Sequence, residues 1–268
     1  MPRRILPFLL SVTVILLSRP LLALDLSGLS DEEKGLAIVK EADRRDLGWH
    51  DMKARSEMIL RNRQGQESHR ITHSQALEVE GDGDKTLIVF DAPRDVNGTA
   101  FLSYSHALTP DEQWIYLPAL KRIKRISSKN KSGPFMGSEF AYEDISSQEV
   151  KKYTYKFLKE EKIGDVDTYV VEQYPAYKNS GYTRLITWIH KTEFYPVKVE
   201  FYDRKNKHLK TLTYHDYKQY LNQYWRPGRM EMKNHITGKT TTLLWKSYAF
   251  RTGLTEKDFD KNSLKRAR

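Results

Sequence analysis

Between Lys53 and Arg63 the chain alternates. Ala54, Ser56, Met58 and Leu60 fall on one side, and Lys53, Arg55, Glu57 and Arg61 on the other. A period of two describes a strand with one buried face. Runs of similar length, rich in Val, Ile, Thr, Tyr and Phe, follow one another to Phe250. They predict strands over 53–63, 67–79, 85–91, 99–107, 112–117, 120–127, 150–160, 166–174, 182–190, 196–203, 208–219, 226–236 and 240–250. Turn residues separate them, among them Gln64-Gly65, Gly81-Asp82-Gly83-Asp84, Lys205-Asn206 and Thr237-Gly238. Sequential strands joined by short turns form an antiparallel meander. So many strands would leave long bare edges unless the sheet curls into a barrel or part-barrel.

One segment before the strands has a different period. Leu36, Ile38, Val39 and Ala42 make an apolar stripe at helical spacing within Asp31 to Asp46. Ser30 followed by Glu33 has the form of a capping box, and Gly48 ends the helix. Trp49 is placed to fill the join between helix and body. At the other end, the basic tail from Lys261 to Arg268 is expected to fray. With no repeat or linker in between, one domain is expected over 24–268.

The N-terminus reads as a leader rather than as fold. Met1-Pro2-Arg3-Arg4 is positive, Ile5 to Leu17 is mainly apolar, and Leu21-Leu22-Ala23 offers a small residue for cleavage. This is the layout of a secretory signal peptide over 1–23, an uncleaved anchor being the alternative. The apolar run is short for a membrane span, which needs about 20 residues. Export to a periplasm follows. The chain has no cysteine, hence no disulfide and no site for an N-terminal lipid anchor. Formal charge is +10, and +7 without Arg3, Arg4 and Arg19. A basic exported protein fits an anionic lipid or an acidic protein surface, and export separates it from nucleic acid.

Enzyme signatures are sparse. His69 and His73 lie four apart, about 13 Å along a strand, too far to share a metal. No His-Glu-x-x-His, acidic calcium loop, Gly-x-Ser-x-Gly elbow or phosphate-cradling glycine loop occurs. Ser138 reads as a helix cap rather than a nucleophile. No cofactor and no metal are expected. What the chain has in quantity is aromatic and thioether side chains on strands: Phe101, Trp114, Tyr116, Trp188, Met230, Met232 and Trp245. Most such residues pack a core. A curled sheet also encloses a space, and where helices only partly fill it an apolar pocket remains.

The stretch from Tyr116 to Ile145 gathers the remaining candidates. Lys121, Arg122, Lys124 and Arg125 are packed together, on both faces of the predicted strand. They are expected to meet a partner or a headgroup. A helix over about 138–147 is expected to cross the mouth of the sheet, with Phe135, Met136, Phe140 and Tyr142 facing the cavity. Glu139, Glu143 and Asp144 would then pair with Arg122 or Lys124, with Gly133 and Gly137 as hinges.

"LIVFDAPRDVNGTAFLSYSH", "WIYLPALKRIKRIS" and "FMGSEFAYEDI" resemble the outer membrane lipoprotein-sorting protein family, relatives of the carrier LolA and its acceptor LolB. The resemblance covers nearly all of the mature chain. It implies an incomplete antiparallel β-barrel with helices as a lid over an apolar cavity. It further implies a periplasmic carrier of lipid or lipoprotein acyl chains, with transient membrane contact and an inner-membrane partner of the resistance–nodulation–division type. Lacking an anchoring cysteine, the chain is more like a soluble shuttle than like LolB. The other readings are an accessory subunit acting through its basic face, or an enzyme on lipid or glycan.

Overall fold

The computed structural model describes residues 24–266, so the leader expected over 1–23 lies outside the described residues. Helix α1 spans Asp31–Asp46. Its capping box is complete: Glu33 N donates to Ser30 Oγ at 3.3 Å, and Ser30 N donates to the Glu33 carboxylate at 2.9 Å. The strands then run in chain order. They are β1 (Asp51–Arg61), β2 (Glu67–Leu77), β3 (Lys85–Ala92), β4 (Ala100–Tyr104), β5 (Glu112–Leu117), β6 (Arg122–Ile126), β7 (Tyr153–Ile163) and β8 (Val166–Pro175). After them come β9 (Tyr182–His190), β10 (Pro196–Asp203), β11 (His208–His215), β12 (Lys218–Tyr220), β13 (Tyr224–Arg226), β14 (Arg229–Asn234) and β15 (Thr240–Phe250).

All but β12 and β13 join one 13-stranded sheet in the order β6-β5-β4-β3-β2-β1-β15-β14-β11-β10-β9-β8-β7. The β1–β15 pairing seams the two halves of the chain together, Met52 opposite Phe250 and Arg61 opposite Thr240. Strands β6 and β7 end the order without pairing to each other, so the barrel is incomplete. The alternation read in β1 sorts as expected: Ala54, Ser56 and Met58 are buried, while Lys53, Arg55 and Arg61 are exposed.

Where strands begin and end differs from the sequence reading for local reasons. The strand expected from 120 starts at Arg122, because Pro118–Leu120 form a 3-10 turn and Lys121 is left-handed. The strand expected over 208–219 breaks at Asp216, also left-handed, and β12 and β13 leave the sheet as a separate hairpin. The tail does not fray over its described length. Phe259 and Leu264, both fully buried, pack on Trp114, and a short helix α2 (Ser263–Arg266) ends there.

The concave face is covered by two elements. Helix α1 lies on β7 so closely that a methyl on Gly35 would sit 2.9 Å from the Lys156 backbone. Its Ile38 packs with Tyr155, Tyr169, Val171, Ile189 and Phe194. The second cover is the 127–152 segment, which connects β6 to β7. It is not the helix expected over 138–147. It holds four short 3-10 turns, Ser128–Asn130, Phe135–Gly137, Tyr142–Ile145 and Val150–Lys152. A Pro134–Ala141 bridge and a left-handed Met136 interrupt any longer helix. Asp144 also folds back to accept from Ala141 N at 2.7 Å.

Candidate functional site

The 127–152 strap fills one half of the concave space. Phe101 of β4 sits 5.0 Å from Phe135 and 5.7 Å from Tyr142, ring centre to ring centre. Phe140 joins the same cluster with Phe90, Phe201, Leu212 and Met232. Phe101, Phe135, Phe140, Tyr142 and Met232 are therefore core packing between strap and sheet, not an open lining. Met136 packs against the same cluster.

Polar ties hold the strap down. Asp144 Oδ2 lies 2.6 Å from Lys210 Nζ of β11, and Asp144 Oδ1 accepts from Tyr182 Oη at 2.8 Å. Glu143 accepts from Ser180 Oγ at 2.9 Å and Gly181 N at 2.8 Å, and burial raises its carboxyl above the usual range. Glu139 accepts from Asn234 Nδ2 at 2.7 Å. Gln113 donates to Tyr142 O and Arg70 to Met136 O. The expected pairing of these carboxylates with Arg122 or Lys124 does not occur. The sequence put those cations nearest along the chain, but the strap crosses the barrel to the far half of the sheet. Ser138 is tied to strap backbone, donating to Phe135 O at 2.7 Å.

The other half of the concave space stays open. A cavity of about 740 Å³ lies between the C-terminal half of α1, the sheet, the end of the strap and the β12–β13 hairpin. Its apolar lining includes Val39 and Ala42 from α1, Met52, Ile189, Tyr214, Met230 and Trp245 from the sheet, and Tyr217 and Trp225 from the hairpin region. Trp245 Nε1 points at Met230 Sδ, 3.4 Å away, and Tyr195 stacks on Tyr217 at 3.9 Å. Carboxylates edge this floor: Asp43, Asp84 and Glu149 come from three separate elements. Burial raises the Asp84 carboxyl to about 7, helped by the nearby Glu149 charge. Burial raises Glu149 and Asp43 as well.

Of the residues expected to line a cavity, Met230 and Trp245 line this one, and Phe140, though buried, borders a separate recess. Trp114 and Tyr116 face the opposite side of the sheet, under Phe259 and Leu264. Trp188 also points away, since its neighbours Thr187 and Ile189 line the cavity. It lies under Lys198 Nζ at 3.5 Å. Periodicity shows that a strand has two faces but not which one is concave. Lys121, Arg122, Lys124 and Arg125 stand exposed at the β6 edge, Arg125 paired with Glu112 at 3.1 Å. Tyr195, Tyr217 and Tyr248, which line the cavity, were not singled out by the sequence; they come from three separate segments, and their convergence had no legible signal. Among the described residues no His, Asp or Glu group is arranged to hold a metal.

A family model described as that of an uncharacterised protein matches residues 82–266. No curated protein matches the chain. Among solved structures, one described as an outer membrane lipoprotein-sorting protein domain from Vibrio parahaemolyticus is 58% identical, with a TM-score of 0.86. The alignment covers 87% of this chain and 99% of that one. A DUF1329 family protein from Desulfovibrio piger is 27% identical with a TM-score of 0.83, over 88% of this chain and all (100%) of its own. A LolA superfamily protein from Nitrosomonas europaea, 22% identical with a TM-score of 0.68 over 88% of this chain and 99% of its own, shares the fold. The long match to the first of these, on an incomplete barrel with a covered concave face, means that the chain belongs to the outer membrane lipoprotein-sorting protein family.

Proposed function

We propose that the protein is a periplasmic carrier. It would take an acyl chain of a lipid or lipidated protein into the cavity beneath α1 and pass it toward the outer membrane with an inner-membrane transporter of the resistance–nodulation–division type. One domain over 24–268, released by cleavage after Ala23, would make up the carrier. No reaction is required of it.

The observation that carries this reading is the cavity itself. Its volume, about 740 Å³, lies in the range of sites that enclose small ligands, roughly 300–1,000 Å³. Its floor is aromatic, aliphatic and thioether, which adapts to flexible apolar chains. Each buried methylene contributes about 0.8 kcal/mol, so one long chain gives useful affinity. The sorting role described for the relative from Vibrio parahaemolyticus supports the same direction.

Uptake of a fluorescent long-chain lipid tests the reading. The exported protein should bind the probe saturably, and Met230→Arg, which puts a charge on the cavity floor, should lower the affinity about tenfold or more. Equal uptake by Met230→Arg would remove the cavity from the account.

A further inference from the structure

The antiparallel meander brings alternate connections to one end of the barrel. Six of them gather there: 62–66, 93–99, 118–121, 176–181, 204–207 and 235–239. They form neighbouring pairs. A methyl on Gly98 would sit 3.3 Å from Pro118 Cγ, and one on Gly238 would sit 3.4 Å from Arg63 Cγ. Arg204 Nε donates to Ser180 O at 2.9 Å. The rings of His208 and His235 lie 4.3 Å apart and join the 204–207 side of the rim to the 235–239 turn.

The charge on this rim is one-sided. The 204–207 turn carries Arg204, Lys205 and Lys207, and the 235–239 turn carries Lys239. Arg63, Arg94, Lys121 and Lys178 stand singly on the other four connections, and all these cations are exposed. Asp95 is the one carboxylate on the six connections. The neighbouring Asp203 is spent on its own turn, accepting from Lys205 N at 2.8 Å and Lys207 N at 2.9 Å.

Two aliphatic side chains project from the same rim, Leu120 at 52% exposure and Ile236 at 61%. Each neighbours cations, Lys121 beside Leu120 and Lys239 near Ile236. A recess of about 790 Å³ opens beside the second, bordered by Lys205, Lys207 and Lys239. Cations that attract a negative surface, with aliphatic tips that can enter it, are what an interfacial lipid contact requires. An acidic protein surface would match the cations but gives no role to separate aliphatic tips on different loops.

We propose that this rim is a docking surface for anionic lipid membranes, with the 204–207 and 235–239 turns at its centre. The contact is peripheral and reversible: the cations hold headgroups, and Leu120 and Ile236 enter the interface. The opposite end, where the cavity lies under α1 and the β12–β13 hairpin, stays clear of the bilayer. This docking does not depend on what the cavity carries.

The test is cosedimentation of the exported protein with vesicles. One set holds about one part phosphatidylglycerol to three parts phosphatidylcholine, and the other phosphatidylcholine alone. Binding is expected to the anionic set only, and to weaken steeply between about 50 and 300 mM salt. K205E/K207E/K239E should lower affinity about tenfold or more, and L120D/I236D should remove the binding that survives high salt. K53E/R55E, on the outer face of β1, serves as a control for net charge and should bind nearly as the parent does. Fluorescent lipid uptake should be unchanged in all three variants, which separates this inference from the carrier reading. Equal binding to both vesicle sets, binding to neither, or an equal loss in K53E/R55E and the rim variant would overturn it.

Discussion

Asp144 and Lys210 meet inside the barrel at 2.6 Å, with their side chains 6% and 4% exposed. Asp144 belongs to the strap and Lys210 to β11, so the pair bolts the cover to the sheet. A buried ion that loses its partner is costly, about 3–5 kcal/mol. Asp144→Ala should therefore lower stability by about that amount in denaturant unfolding, and hydrogen exchange across 135–146 should quicken. The double variant Asp144→Ala/Lys210→Met should recover part of the loss.

The opposite result is expected at Arg122. It is exposed at the β6 edge and makes no ion pair among the described residues. Arg122→Glu should shift stability by less than about 0.5 kcal/mol and leave exchange in the strap unchanged. An accelerated strap would revive the pairing that the chain order had suggested.

Asp84 should make stability depend on pH. Its carboxyl is raised to about 7 by burial, against about 3.9 in an unfolded chain. The charged form is thus disfavoured in the fold, and the penalty is complete above about pH 7. It fades as pH falls and is gone near pH 4. Asp84→Asn should stabilise the protein at pH 8 by on the order of 1–3 kcal/mol, and the gain should vanish toward pH 4. An apolar probe should likewise enter the less charged cavity more readily at pH 6 than at pH 8.

Gly35 tests the seat of α1. An added methyl would lie 2.9 Å from three Lys156 and Phe157 backbone atoms, none of which is a flexible side-chain end. Gly35→Ala should cost about 1–3 kcal/mol, although alanine is the better helix former. Lifting α1 also moves Val39 and Ala42 off the cavity, so probe affinity should fall with stability.

Much of this fold was legible because each strand carries its own signal. The alternation in Lys53–Arg63, the Ser30–Glu33 capping box and turns such as Thr237-Gly238 are local, and the structure repeats them. The site was less legible because it depends on long-range placement. Trp188 and Trp245 look alike in sequence, yet one faces outward and the other lines the cavity. The strap read as a helix from its aromatic and acidic residues, but Asp144 spends its carboxylate on Ala141 N and Lys210 instead. The tail read as basic and loose, and nothing in its neighbourhood announced that Trp114 would be waiting for Phe259 and Leu264.

The most direct measurement is native mass spectrometry of the protein taken from its own periplasm without detergent, repeated after solvent extraction. The carrier account predicts an added mass of about one lipid per protein, lost on extraction and identifiable in the solvent, in keeping with the acyl-sized cavity under α1. A clean unliganded mass, together with no uptake of fluorescent lipid, would contradict it. The basic rim would then stand as the functional surface, and the protein would be an accessory subunit rather than a shuttle.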